Sequence, residues 1–585
     1  MKKTYLQRLF AMTLASAMIM GTLSGCGNNA TETDSTQTTD NASGTGTTDN
    51  TSGNTGTDAA GATGSASGQE SGAVGMEGWE PFAENVTLTI PVYDRGAAGV
   101  PDVTNNYWTK WIQENFGDVY NITVEFEPIT RTDVLTSYNM LATVGELPTI
   151  LMEYDFDKLA EWGDKGYLID YDLDEYARIA PTYYERMVEL DQIKYTELNG
   201  SRYFVLAERP YFNATYTSIT WYRQDWLEEL GYTEWPATWD EQKEIYQRLI
   251  DEGYCQYPLG GEMINGVGSD KNYEFRTYPQ DELEWAMYGD YQIPALSTDA
   301  QREWLRRENE KYNLGFFNPE YYVRDAETNK ADFVSGNMFQ LWGYTSANVD
   351  FLTAFYEQNP NGKIGMFITK DAVVDEKYGS VNAFRPWDPF GMMIGFSSQA
   401  TEDEVKAAMM YMEWMTQEDV LFTMQWGVEG KNFEYGEDGN PVSLAEADPE
   451  YTQGFSNSKD YWCVTIESRS LGSVEADMAA VAPAGLPVDY TQDIIDNYYG
   501  LVKVYEKGYA NSDCKFAVVI KASSELQQSL CELYAEYRDQ LVTCPPDQFD
   551  ALYDELSQKY LDAGYQEVVN ERREAYEAGY TTKLE

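Results

Sequence analysis

Val86-Thr87-Leu88-Thr89-Ile90-Pro91-Val92 opens the first structured part of the chain, with Val86, Leu88 and Ile90 alternating with other residues as a half-buried strand requires. Helical spacing follows: Trp108, Trp111, Ile112 and Phe116 recur at i, i+3, i+4 and i+8, and Gly117 predicts the stop. Ile122, Val124 and Phe126 return to period two, Val134, Leu135, Tyr138 and Leu141 to a helix, and after Gly145 and Pro148 the run Thr149 to Tyr154 reads as a third strand. This β-α-β-α-β order predicts an α/β fold with a parallel sheet and right-handed crossovers. Ligands of open parallel sheets sit beyond the carboxyl ends of the strands, which here carry Tyr93, Asp94, Tyr154 and Asp155. These are the first candidate binding residues. The same positions also suit structural work, with the tyrosines packed under loops and Asp155 capping the next helix.

A second α/β region begins with a predicted strand from Thr217 to Arg223, running into Asp225-Trp226-Leu227 and a turn at Gly231. Thr238-Trp239-Asp240-Glu241 reads as a capping box ahead of the helix face Ile245, Tyr246, Leu249. Thr401 to Glu404 forms a similar box before Val405, Ala408, Met409 and Met412, a stripe that reads as core. The chain ends in helical patterns, one with Leu530, Leu533, Tyr534 and Tyr537 after a cap placed at Ser524 to Gln527. The second follows Pro545-Pro546 and carries Phe549, Leu552, Tyr553, Leu556 and Tyr560.

Working back to the start, Lys2, Lys3 and Arg8 precede an apolar run from Leu9 to Leu23, the layout of an export signal over residues 1–25. The run falls short of the roughly 20 residues a spanning helix needs. Leu23-Ser24-Gly25-Cys26 resembles the lipobox of bacterial lipoproteins, which implies lipid modification of Cys26. Residues 26–78 are dominated by Asn, Thr, Ser, Gly, Asp and Ala and cannot bury enough apolar surface to offset chain entropy, so a flexible stalk is expected. Lipid, stalk and body place the working part, residues 79–585, on the outer face of the cytoplasmic membrane, attached through the anchor alone.

Composition narrows the chemistry. Asp and Glu number 97 against 41 Lys and Arg, a formal net charge of −56, and removal of the leader makes it three units more negative. Nucleic acid and anionic lipid are therefore poor partners. The absence of histidine excludes Ser-His-Asp and Cys-His nucleophile systems and His-ligated zinc. Beyond Cys26 lie Cys255, Cys463, Cys514, Cys531 and Cys544, an odd number with no CxxC pair, so at least one is free or pairs between molecules. No GxxxxGK[ST] loop is present, and no cofactor is expected.

An ordered set of segments resembles the extracellular solute-binding proteins of the family 1 type, in the large lipoprotein branch linked to sugar import. They are Gly145 to Pro148 with the strand to Tyr154-Asp155 and Leu168-Ile169-Asp170; the hairpin Asn199 to Tyr203; Tyr222 to Gly231 leading into Pro236 to Glu241; Phe333 to Met338; and Trp426 to Lys431. The resemblance implies a two-lobed periplasmic-binding-protein-like fold of type II with a ligand cleft between the lobes, one at about 84–210 and 362–428 and the other at about 211–361 and 429–585. It also implies a non-enzymatic, monomeric protein that delivers its ligand to the permease subunits of an ABC importer. One departure concerns an Asp-rich, calcium-binding-like loop that many members carry; here the place reads Asp251 to Gln256, without alternating carboxylates, so no metal is expected there.

Sugars present hydroxyls around apolar ring faces, so a sugar cleft calls for flat aromatics flanked by carboxylates, amides or Arg. Among 15 Trp and 46 Tyr, position singles out Trp342 and Tyr344, with a turn expected at Gly343, then Trp387 and Asp388 in a Pro-bounded loop, and Trp426 near a lobe crossing. Trp221, Arg223, Glu262 and Arg276 complete the set, although interlobe ion pairs use the same residue types. A peptide-binding protein of the same fold and a carboxylate-based glycoside hydrolase are the competing readings.

Overall fold

The computed structural model describes residues 76–582 except 95–101, 215–217, 237, 262–281, 291, 346–348, 367–385, 445–447, 452–458, 482–487, 509 and 511. Its principal strands are β1 (Val86–Asp94), β2 (Ile122–Thr130), β3 (Ile150–Glu153), β4 (Val205–Glu208), β5 (Ser218–Arg223), β6 (Gln340–Tyr344), β7 (Ile364–Met366) and β8 (Phe390–Phe396). The helices that matter most for the site are α1 (Tyr107–Ile112), α2 (Val134–Val144), α3 (Phe156–Asp164), α4 (Trp239–Asp251), α5 (Glu402–Met415), α6 (Glu418–Trp426), α7 (Val488–Glu506), α8 (Lys521–Thr543) and α9 (Phe549–Tyr560).

The first lobe is built as its alternating pattern predicts, up to a point. β1 and β2 pair in parallel from Val86 opposite Ile122 to Asp94 opposite Thr130. The third strand departs from the predicted parallel sheet. Although Thr149 N–H bonds Thr89 O at 3.0 Å beside β1, β3 forms its ladder antiparallel to β8, which also pairs antiparallel with β4. β8 is buried along its whole length, so a strand from far along the chain supplies the centre of this sheet. The first helix also runs past its predicted stop at Gly117 to Tyr120 and ends on Asn121 in the left-handed region. Gln113 drives this, donating to Ile122 O and accepting from Val124 N, and Gly117 leaves room for that side chain.

β5 is the centre of the second sheet, antiparallel to β6 on one side and β7 on the other. Residues 364–366 thus belong with the second lobe, whereas the sequence reading put 362–428 with the first. Conversely, Tyr461 to Ile466 packs into the core of the first lobe, outside the boundaries expected for it. Both expected caps start helices, Thr238 for α4 and Thr401 for α5, but the reciprocal box forms only at Thr401 and Glu404, while Thr238 accepts from Glu241 N alone. Helix α8 begins at Lys521, ahead of the expected Ser524 cap, because the Glu571 carboxylate accepts from Lys521 N and Ala522 N at 2.9 and 2.7 Å. The stalk likewise gives way earlier than residue 78, since Met76 N–H bonds the Tyr120 hydroxyl and Trp79 packs edge-on against that ring. All five described cysteines are buried and none forms a disulfide. Among the described residues, no helix is long and apolar enough to cross a membrane.

Candidate functional site

Three segments carry the chain between the lobes side by side. The first leaves β4 through Glu208-Arg209-Pro210, the second enters β8 through Trp387-Asp388-Pro389, and the third follows Thr465 into Glu467. Backbone bonds lock them together: Glu208 N–H to Thr465 O at 2.8 Å, Glu467 N–H to Glu208 O at 2.8 Å, and Trp387 N–H to Phe212 O at 2.9 Å. Arg209 fastens all three, because its guanidinium pairs with the Glu467 carboxylate, donates to Asp388 O at 3.3 Å and lies 5.5 Å over the Trp387 ring. Burial alone would raise the Glu467 carboxyl, but Arg209 and Lys459 outweigh it and hold the group below the usual carboxylate range.

Beside this crossing the lobes meet through charges. Lys515, on the second lobe, reaches Asp388 at 3.3 Å and Asp513 at 3.5 Å and lies over the Phe156 ring of α3. Asn199 N–H donates to Ala517 O at 2.8 Å, and Lys521 stands 3.9 Å from Asp164. Asp157, at the start of α3, shares a narrow interlobe cavity with Asp290, Lys515 and Arg572. Burial and then the neighbouring Asp290 and Asp155 charges raise its carboxyl to about 7, against the lowering effect of Lys515 and Arg572.

The carboxyl ends of β1 and β3 hold a further polar group. Arg131 lies 4.8 Å over the Tyr93 ring and 3.8 Å from Glu153, and Lys158 lies 3.5 Å from Asp155. Glu153 Oε2 and Asp155 Oδ2 are buried, and these ion pairs are their polar contacts among the described residues. Tyr154 connects this group to the crossing: its hydroxyl is raised well above the usual tyrosine range by burial and by Cys463, Glu467 and Asp460.

The structure thus brings Tyr154, Asp155, Trp387 and Asp388 to one seam and separates others from it. Tyr93 is fully buried, its hydroxyl donating to Met152 O at 2.9 Å. Asp155 accepts from Asp157 N at 3.1 Å as the cap of α3, and Asp94 is exposed at the end of β1. Trp221 is a core residue whose indole donates to the Tyr490 hydroxyl at 3.1 Å, and Arg223 is spent on Asp225, Trp226 and Phe355. The turn expected at Gly343 does not form: Gly343 pairs with Ile219 inside β6, and Trp342 is half-buried opposite Thr220. Tyr344 ends that strand. Trp426 is covered by Arg469 at 4.6 Å, which removes it as a stacking platform. Glu262, Arg276 and Cys26 lie outside the described residues.

Sequence reasoning passed over Arg209, Glu467, Lys515, Arg131 and Glu153. A signal existed only for Arg209, which stands before Pro210 at the end of the apolar run Val205 to Ala207.

Two α/β lobes joined by three adjacent crossings, with a polar and aromatic seam between them, define a two-lobed fold of the periplasmic-binding-protein type. The chain belongs to the bacterial extracellular solute-binding protein family, whose profile matches residues 101–420. No curated protein matches the chain in sequence. Among solved structures it is similar to the alginate-binding protein AlgQ2 without calcium ion, at 13% identity over 85% of this chain and 99% of that one, with a TM-score of 0.54. An extracellular solute-binding protein from Bifidobacterium longum subsp. infantis gives 13% identity over 84% and 98%, with a TM-score of 0.57. An HMO binding ABC-transporter associated solute-binding protein from Bifidobacterium longum infantis gives 13%, 84%, 99% and 0.54. At these identities the likeness establishes the two-lobed fold.

Proposed function

We propose that this chain is the lipid-anchored, extracellular substrate-binding component of an ABC importer, and that it captures a sugar or oligosaccharide between its lobes without chemically altering it. Residues 1–25 serve as the export signal, Cys26 takes the lipid, and the low-complexity segment after it spaces the body from the membrane. The observation that carries the reading is the seam, where the half-buried Trp387 ring lies beneath Arg209, Asp388 faces Lys515 of the other lobe, and Tyr154 stands between Glu467 and the buried carboxylates of Glu153 and Asp155. Ring faces stack on flat aromatics and hydroxyls donate to carboxylates, so this mixture suits a sugar better than a purely apolar ligand. The family match supports solute binding, and the alginate-binding relative shows the same fold in a protein named for a polysaccharide.

A thermal-shift screen of the mature chain against mono- and oligosaccharides, amino acids and short peptides tests the proposal, because a ligand of the folded state raises Tm by mass action. A rise with a sugar series, and intact sugar after incubation, is the expected result. A rise with peptides alone overturns the carbohydrate assignment, and breakdown of the sugar overturns the non-enzymatic one.

A further inference from the structure

Arg469 lies two residues beyond Glu467, where the third crossing leaves the first lobe. The preceding carbonyl, Ser468 O, accepts from Gln425 Nε2 at 3.3 Å at the end of α6. This fixes the backbone, and the half-buried guanidinium stands 4.6 Å over the Trp426 ring, its one polar contact among the described residues being Nη1 to Ser443 Oγ at 3.4 Å. Burial pushes the group down to about 10, so it stays cationic at neutral pH. No carboxylate among the described residues stands within ion-pair distance of it.

That is unusual for this chain, in which Asp and Glu outnumber Lys and Arg by 97 to 41. Most other buried or half-buried guanidiniums among the described residues, Arg186 excepted, have a carboxylate in reach: Arg209 has Glu467, Arg223 has Asp225, Arg324 has Asp332 and Arg572 has Asp290. A partly desolvated cation without a counter-charge is costly to keep, and an anion supplied by a ligand removes that cost. The planar fork, held against the indole, matches the two oxygens of a carboxylate. The surroundings select for low charge, since Glu467 precedes it by two residues and Asp477 accepts from Leu471 N and from Ser470 Oγ, the next residues along. A monoanion is tolerated there better than a phosphate dianion.

We propose that Arg469 receives the carboxylate of a uronic-acid residue, so that the captured ligand is an acidic rather than a neutral saccharide. The inference rests on the carbohydrate reading and narrows it. Calorimetric titration of the mature chain with digalacturonate and cellobiuronate, with galactobiose and cellobiose as neutral counterparts and glucose 6-phosphate as a dianionic control, decides it. A uronate is expected to bind at least about tenfold tighter than its neutral counterpart, with affinity falling as NaCl rises. Arg469→Gln is expected to abolish that preference, and Arg469→Lys, which keeps the charge and loses the fork, to restore part of it. Equal or tighter binding of the neutral sugars, or an uronate preference that survives Arg469→Gln, overturns the acidic-ligand assignment and leaves sugar capture standing. Tighter binding of the sugar phosphate overturns the carboxylate assignment, and no binding of any saccharide overturns both readings.

Discussion

Arg209 shows how much one side chain does at the crossing, because it bonds to a residue from each of the other two interlobe segments. Its partner Glu467 is largely buried, and removing the guanidinium leaves that carboxylate without its main counter-charge. Arg209→Ala is expected to cost about 3 kcal/mol, measured by urea unfolding, and the double variant with Glu467→Ala to recover part of the loss. A cost for the double variant equal to the sum of the single ones contradicts the pairing. Trp387 answers a different question, since its ring is half-buried and its backbone is held by Phe212 O. Trp387→Ala should weaken sugar affinity about tenfold, roughly 1.4 kcal/mol, while shifting the unliganded Tm little. Unchanged affinity removes it from the binding surface. Residue chemistry was only partly legible in the sequence: the Pro-bounded loop marked Trp387 and Asp388, whereas Trp221 and Trp426 carry the same chemistry and are consumed by Tyr490 and Arg469.

Elements were more legible, since periodicity is a local property. The faces of α4, α5, α8 and α9 hold the residues that spacing assigns to them, all buried except Leu533 and Leu552, which pack half-buried against the same core. The misreadings occurred where a distant group intervenes. Glu571 starts α8 early, and β8 inserts between β3 and β4, so three strands separated by long stretches of chain form one sheet. That insertion depends on Gly391 near the start of β8, where an added Cβ would stand 3.0 Å from Glu467 Cβ and 3.5 Å from Glu208 O. The register of β8 against β4 also shifts between Phe390 and Met393. Gly391→Ala is expected to force the crossing segments apart and cost about 1 kcal/mol, read as a lowered Tm. An unchanged Tm would show that the segments yield freely.

At the scale of the molecule, the lobes meet through a charged seam whose protonation alters stability. The folded chain raises the Asp157 carboxyl to about 7, above the 3.8 of an exposed aspartate, and so holds that proton more tightly than the unfolded chain does. Its favourable contribution is complete below about pH 4 and is lost as pH rises through 7. Asp157→Asn should therefore raise Tm relative to the parent increasingly from pH 5 to 7.5. A constant difference across that range would place the carboxyl in an ordinary environment. Glu467 acts in the opposite direction, its lowered carboxyl adding stability at neutral pH that is lost as acid protonates it.

By itself the sequence determined the class of the protein, through an acidic chain without histidine, alternating strand and helix periods, and ordered segments resembling those of solute-binding proteins. Each of these is carried by residues close together in the chain or by composition, so no folding is needed to read them. Only the tertiary structure decided where the chain crosses between lobes, which aromatics are already covered, and that Arg209, Glu467 and Asp388 meet although up to 258 positions separate them. A polar side chain becomes a partner or remains available according to which distant group reaches it first, and that is fixed by packing across the whole molecule.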